Sequence, residues 1–222
     1  MALRAGSRDT PCMDERAIAE CFDEEVTCCT PKVLEKRRTQ SSAIADAVED
    51  IGIHGLTVLE IGSGLGELLR ELVRRGASRA MGIDLSPNSI ELARSSTREE
   101  GLEGQISFVV ANGAEIQLDE HDVVVLDRVI CCYPNANELV SHTAAAARRI
   151  YAFKLPRYEG PLRLFWRISF GFENAFHALH RRDFRAYLHD VSEIDRWLRE
   201  MGFRQQHRSS RRAWLTAVYV RG

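Results

Sequence analysis

The stretch Leu56–Leu68, LTVLEIGSGLGEL, decides the fold. Leu56–Ile61 is a short apolar, β-branched run with glycine on both sides, which reads as a buried parallel strand. After the glycines, Leu68, Leu69, Leu72 and Val73 recur at helical spacing until Gly76. Glycines where a strand turns into a helix let the backbone pass close to a ligand. The helix start then offers unpaired N–H groups. Gly62, Gly64 and Gly66 are spaced G-x-G-x-G, so the third glycine comes one position earlier than in the dinucleotide fingerprint. Glu60 lies two residues before the first of them.

Outward from this stretch the pattern repeats. Ala80–Ile83 reads as a second strand, and Asp84 follows it in GIDLSP. A carboxylate at the tip of that strand is placed to accept hydrogen bonds from a ribose diol. Pro87 opens a helix through Arg94; Ile106–Val110 and Asp122–Leu126 read as the third and fourth strands. Asn135–Arg149 reads as a helix and Ile150–Lys154 as the fifth strand. Strands alternating with helices imply a parallel sheet covered on both faces. Val191–Met201 is an amphipathic helix stopped by Gly202. Phe203–Arg208 and Ala213–Val220 read as an antiparallel strand pair. Residues 14–25 and 32–50 read as two helices broken at Pro31.

The chain has 222 residues, 45% hydrophobic and 28% charged, with a net charge of −2. That composition excludes a disordered chain, a collagen-like fibre and a coiled coil. No run approaches the ~18 apolar residues of a membrane span, and the N-terminus shows no secretory h-region. The expectation is a cytoplasmic protein with reduced thiols. The six cysteines, Cys12, Cys21, Cys28, Cys29, Cys131 and Cys132, include no C-x-x-C pair. Charge is uneven along the chain. Residues 151–222 carry 14 basic and 7 acidic side chains, a net of +7, and residues 1–150 a net of −9. Arginine supplies nearly all the basic charge, since Lys32, Lys36 and Lys154 are the only lysines. A GC-rich genome accounts for that; so does an anion facing the C-terminal third.

VLEIGSGLG followed by GIDLS resembles motifs I and II of the class I S-adenosylmethionine-dependent methyltransferases, and the resemblance extends over residues 56–155, including VVANGAE and DVVVLDRV. It implies a Rossmann-like α/β fold. The sheet would have seven strands, mostly parallel, with helices on both faces and a C-terminal antiparallel hairpin. It also implies S-adenosylmethionine as cofactor. Carried over, Gly62, Ser63, Gly64 and Gly66 line the methionine part, and Glu60 helps hold its ammonium group. Asp84 binds the ribose hydroxyls and Leu85 packs on the adenine. Asn112 and Gly113 flank the adenine ring. Asn112 stands where many relatives carry aspartate, and its side-chain carbonyl is expected to accept from the adenine amino group. Asp127 and Arg128 end the fourth strand where cofactor and acceptor meet.

The chemistry asks little more of the protein. The sulfonium is an activated methyl donor, so an acceptor must be aligned and water excluded. A general base is needed only for a poorly ionised acceptor. The acceptor clues lie in residues 156–190. Leu164, Ile168, Phe172, Ala175, Phe176 and Leu179 fall at helical spacing, with Arg163, Arg167, Arg181, Arg182 and Arg185 interleaved. This strip reads as the packing face of a helical cap, a lid over an anionic, partly apolar substrate, a membrane-surface helix, or a platform for RNA bases. Overall neutrality disfavours nucleic acid. DRVICCYPNANELV and YLHDVSEIDRWLREMGF are similar to the magnesium-protoporphyrin O-methyltransferase branch, with Tyr133–Pro134 and Tyr187-Leu188-His189 at matching positions. That similarity implies a planar dicarboxylate acceptor; Cys131–Cys132 depart from the branch pattern.

Tyr133 and His189 are the candidate catalytic residues. As structural residues both would only pack. Cys28–Cys29 and Cys131–Cys132 read as small apolar side chains or as a thiol set for a soft metalloid. His177 and His180 lack an identifiable third ligand, so no metal site is expected. One domain is expected: an N-terminal helical cover (1–52), a cofactor-binding core (53–155), an inserted lid (156–190), and a final helix with a strand pair (191–222). The function expected is methyl transfer to a small, anionic or aromatic acceptor in a lidded pocket. The alternatives are a protein or RNA acceptor, a thiol or metalloid acceptor, and a non-catalytic cofactor-binding protein.

Overall fold

The computed structural model describes Ala19, Asp23 and residues 43–160, 162–179, 185–211 and 213–222. The strands are β1 (Thr57–Ile61), β2 (Arg79–Asp84), β3 (Ile106–Val110), β4 (His121–Asp127), β5 (Ala147–Pro156), β6 (Phe203–Arg211) and β7 (Trp214–Arg221). They form a sheet of order β3-β2-β1-β4-β5-β7-β6. Pairing is parallel from β3 to β5 and antiparallel from β5 through β7 to β6. This is the Rossmann-like methyltransferase sheet with its C-terminal hairpin.

Helices cover both faces. They are α1 (43–49), α2 (Glu67–Arg74), α3 (Pro87–Glu99), α4 (Ala136–Ala145), α5 (Leu162–Leu179) and α6 (Val191–Glu200), with a 3₁₀ turn at Ile130–Cys132. Side chains alternate along each strand, so each strand feeds two cores. Val58, Val123, Val125 and Val218 face Ile44, Val48, Leu69, Leu72 and Ile90 on one side. Leu59, Val124, Leu126, Tyr151 and Tyr219 face Leu139, Val140, Ile194 and Leu198 on the other. Burial on both faces explains why LTVLEI and DVVVL read as continuous apolar runs.

Local signals fix the ends of the elements. Ser86 caps α3, its hydroxyl accepting from the Ser89 N–H at 2.9 Å with Pro87 next in the chain. Asn135 and Asp190 cap α4 and α6 in the same way. At the start of the sheet, the Thr57 N–H and hydroxyl both donate to Asp122 Oδ2 at 2.9 Å, and the Asp122 N–H returns a bond to Thr57 Oγ1.

Three readings are corrected. The helix expected through Arg149 stops at Ala145, because Ala147 already pairs with His121 in the sheet. Ser209, Ser210 and Arg211, read as a turn, extend β6 and pair with Thr216, Leu215 and Trp214. The strip on α5 does not turn to the sheet: Leu164, Ile168, Phe172, Ala175, Phe176 and Leu179 are exposed, Phe172 by 74%. The opposite face anchors the helix instead. Trp166 and Phe170 are buried one turn apart, and the Trp166 ring meets Phe170 edge-on at 5.3 Å and Trp214 at 5.7 Å. A strip with helical spacing identifies a face without saying which way it turns; the heavier aromatics decided that here.

Candidate functional site

The C-terminal ends of β1, β2 and β4 open onto one edge of the sheet. Gly62, Gly64 and Gly66 all take left-handed backbone conformations, with φ of 68°, 50° and 70°. The Gly62 and Ser63 N–H groups donate to the Ile83 carbonyl at 2.7 and 3.0 Å, fastening the turn to β2. Arg70, buried on α2, donates to the Leu65 carbonyl at 2.7 Å and holds the turn from behind. A Cβ on Gly62 would lie 2.4 Å from Val129 Cγ2, whereas one on Gly64 would meet nothing within 4 Å. Gly62 is therefore set by packing, and Gly64 faces open space.

Asp84 sits where the sequence put it. Its Oδ2 accepts from the Gly64 N–H at 2.7 Å and its Oδ1 from the Ser86 N–H at 2.9 Å. Each carboxylate oxygen retains acceptor capacity, so a diol can add to these bonds. Burial raises its pKa, and the backbone N–H groups of Ser86, Gly64 and Leu85 oppose the rise. Leu85 beside it is half-buried.

Glu60 is buried, and its Oε2 has no hydrogen-bond partner; the same holds for Ser63 Oγ. Burial pushes the Glu60 carboxyl well above its ordinary value, and the charges of Asp127, Asp84 and Glu67 push it further. A buried acidic cluster of this kind calls for a cation. S-adenosylmethionine carries an ammonium and a sulfonium, so the residues present fit it. Glu60 and Ser63 would face its amino-acid part, Gly64 would leave room for its backbone approach, and Asp84 would take the ribose.

Asp127 pairs with Lys154 across β4 and β5, with Lys154 Nζ 3.9 Å from Asp127 Oδ1. Both are buried. Burial lowers the Lys154 pKa and Asp127 partly restores it. Arg128 adopts φ 63°, a conformation unusual outside glycine, and its Nε lies 3.4 Å from Asp127 Oδ1. The Arg128 carbonyl accepts from both Cys131 Sγ at 3.4 Å and Cys132 Sγ at 3.7 Å. Cys131 is buried and Cys132 half-buried.

Asn112 has an internal role. Its Oδ1 accepts from the Ala114 N–H at 3.0 Å and from the Tyr133 hydroxyl at 3.0 Å. A carbonyl oxygen has two lone pairs, so both are engaged here by partners within the chain. Gly113 is required by packing: a Cβ there would lie 2.7 Å from Ile61 Cγ2.

His189 Nε2 donates to the Tyr133 carbonyl at 2.8 Å, and the Tyr187 N–H to the Cys131 carbonyl at 2.7 Å. The YLH segment is thus stitched to the 3₁₀ turn. Burial lowers the His189 pKa, with the carbonyls of Tyr133 and Ile130 opposing it. Cys28, Cys29 and the His177 and His180 side chains lie outside the described residues. Among the described residues no group of three His, Cys, Asp or Glu side chains could hold a metal. Sequence reasoning missed Arg70, Lys154, Arg157 and Trp166 as site residues. Lys154 carried a signal, as the only charged side chain in IYAFKLP.

Residues 58–151 match the family profile described as a methyltransferase domain. A ribosomal protein L11 methyltransferase of Deinococcus radiodurans is 28% identical over 109 residues, covering 47% of this chain and 38% of the relative. The same protein of Edwardsiella ictaluri is 29% identical over 155 residues, 70% of this chain and 47% of the relative. The chain thus spans less than half the length of these curated relatives. Among solved structures, the magnesium protoporphyrin IX methyltransferase of Synechocystis PCC 6803 with bound SAH superposes with a TM-score of 0.74. It is 22% identical, and the match covers 94% of this chain and all of that one. The methyltransferase in a complex with the Haloferax volcanii Trm112 activator gives 0.64 at 17% identity, covering 94% and 96%.

Proposed function

We propose that the chain is a class I S-adenosylmethionine-dependent methyltransferase that acts on a small acceptor of anionic or aromatic character; the methyltransferase-domain match over residues 58–151 and the fold support this reading. S-adenosylmethionine supplies an activated methyl for in-line displacement when bound. The chain's own residues do the rest. Gly62–Gly64 and Asp84 orient the donor, and the acidic cluster of Glu60 and Asp127 favours its positive charge. Buried Glu60 Oε2, with no hydrogen-bond partner, is the observation that carries this reading.

The acceptor side is roofed by α5 and residues 185–190. Trp166, Phe170 and Leu188 pack with Cys131 and Trp214 above the ends of β4, β5 and β7. Asn174 locks the roof: its Nδ2 donates to the Ala186 carbonyl at 3.0 Å and its Oδ1 accepts from the Ala186 N–H at 2.8 Å. A roof of large apolar side chains suits a small substrate enclosed away from water better than a protein segment lying in a groove. Tyr133 and His189 act here as positioning residues, since the hydroxyl and Nε2 are both committed to internal bonds.

Calorimetric titration with S-adenosylmethionine, S-adenosylhomocysteine and NAD tests the cofactor half. Binding of the first two and not NAD is expected; failure of both overturns the reading. A radiolabelled methyl-transfer screen over planar carboxylates, phenols and thiols, run beside a ribosomal-protein fraction, tests the acceptor half. The ribosomal protein L11 methyltransferase relatives are what favours a protein acceptor as the second reading. Labelling confined to protein would establish it.

The exposed stripe on α5, with Arg163 and Arg167 also exposed on that helix, supports contact with an anionic lipid surface by an otherwise cytoplasmic enzyme. Cosedimentation with phosphatidylglycerol vesicles, lost on Phe172→Asp, is expected; no cosedimentation removes it. No helix among the described residues is long and apolar enough to cross a membrane.

A further inference from the structure

The cofactor end of the site holds a buried acceptor, Glu60 Oε2, with no donor among the described residues. The opposite end holds the reverse. Trp166 Nε1 and Arg157 Nε are both shut off from solvent, and neither has a hydrogen-bond partner among the described residues. Trp166 is only 8% exposed. Native proteins almost always satisfy such groups, so two orphan donors in one region ask for an acceptor.

The two residues flank one corner. Arg157 directly follows β5, and its backbone N–H donates to the Ala213 carbonyl at 2.8 Å. The next residue, Trp214, pairs with Pro156 in the sheet and meets the Trp166 ring edge-on at 5.7 Å. Cys131 and Leu162 belong to the same apolar cluster. Lys154 stands three residues before Arg157 on β5, itself buried and in the field of Arg128 and Arg211. The corner therefore holds two buried donors, one of them a guanidinium, beside apolar walls. The Asp127–Lys154 pair divides it from the acidic cluster around Glu60.

We propose that the β5–α5–β7 corner is an oxyanion site, where the Trp166 indole N–H and the Arg157 guanidinium hold a carboxylate or phosphate carried on an apolar body. An indole N–H and a guanidinium Nε–H that converge on one planar anion give it two donors, and charge-assisted bonds of this kind are strong in a dry setting. The split of charge along the sheet edge gives each end its ligand: cation at β1, anion at β5. The site rests on the methyl-transfer reading only for its role, as the anchor of the acceptor.

The test uses the full chain and three probes of one shape: 2-naphthoate, 2-naphthamide and 2-naphthyl phosphate. Each is titrated by calorimetry with S-adenosylhomocysteine at saturation and again without it. The wild type should bind an anionic probe at least about tenfold more tightly than the amide, the factor a hydrogen bond to a charged group supports. Trp166→Phe, which keeps the ring and removes the donor, and Arg157→Met should each cut that preference to about threefold or less. S-adenosylhomocysteine binding should not change in either variant, and amide binding should fall by less than anion binding. Preference for the phosphate or for the carboxylate identifies the source of the oxyanion, and either supports the site. Equal binding of anion and amide by the wild type, or a preference retained in both variants, overturns it. If S-adenosylhomocysteine itself does not bind, the methyl-transfer reading falls, and the titrations without it still decide the anion site.

Discussion

The Tyr133 hydroxyl donates to Asn112 Oδ1 at 3.0 Å, joining the turn after β4 to the loop after β3. The Tyr133 carbonyl in turn accepts from His189 Nε2 at 2.8 Å. One residue thus ties the cofactor-side loop to the segment that returns from the roof. Tyr133→Phe should cost about 1 kcal/mol in urea denaturation, the worth of one buried neutral hydrogen bond. Its methyl-transfer rate should stay within severalfold of wild type. Unchanged stability with a rate loss of about a hundredfold or more would instead make the hydroxyl a proton-transfer group.

The two glycines of the turn should fail differently. Gly62→Ala adds a methyl 2.4 Å from Val129 Cγ2 at a positive φ, so it strains packing and backbone together. A loss of at least about 2 kcal/mol is expected from overpacking and left-handed strain. Gly64→Ala meets no neighbour within 4 Å, so only the backbone term of about 1–2 kcal/mol applies. Cofactor affinity should nevertheless fall more in Gly64→Ala, because its methyl enters the space the ligand needs. Thermal melts with and without S-adenosylhomocysteine separate the two effects.

Asp84 holds two backbone N–H groups as well as the expected ribose position. Asp84→Ala should therefore weaken S-adenosylhomocysteine binding by about 1–3 kcal/mol, the cost of leaving such groups unpaired. Equal affinity by calorimetry would remove the ribose from this carboxylate.

The cofactor half was legible because its signals are local. Glycines at a strand-to-helix turn, a carboxylate at a strand tip and a capping serine before Pro87 each act within a few residues. The roof was not legible in the same way. Its helix carries apolar side chains all round, at Leu164 and Phe172 as well as Trp166 and Phe170, and spacing alone does not say which row faces the sheet. Asn112 shows the other limit. Its partner Tyr133 is 21 residues away, and only the folded sheet, which sets the ends of β3 and β4 on the same edge, brings the two together.

Glu60 gives a pH dependence with a definite sign. Burial first, then Asp127, Asp84 and Glu67, hold its folded-state pKa well above the ordinary 4.5. The folded chain therefore binds more protons than the unfolded one once pH exceeds 4.5, and its stability falls as pH rises from there through the folded value. Glu60→Gln should remove that slope and raise apo stability at neutral pH. A bound cation favours the ionised carboxylate, so S-adenosylmethionine binding should release a proton and strengthen as pH rises through the same window. Calorimetry at mildly acidic pH in buffers of different ionisation enthalpy measures the release. Identical heats in all buffers would show that Glu60 is already ionised before the cofactor arrives.

Phe170 and Phe172 are two residues apart on α5 and should respond oppositely. Phe170 is 8% exposed and packs edge-on against Trp166. Phe170→Ala should cost about 3–5 kcal/mol if the roof unfolds together with the core, as a buried aromatic truncation does. A smaller loss with early proteolytic cleavage in 156–190 would show that the roof opens on its own. Phe172 is 74% exposed, and Phe172→Ser should move stability by no more than about 0.5 kcal/mol. The contrast measures which face of α5 belongs to the fold. If Phe172→Ser destabilises as much as Phe170→Ala, the stripe is covered in solution, and an exposed lipid-facing row is excluded with it.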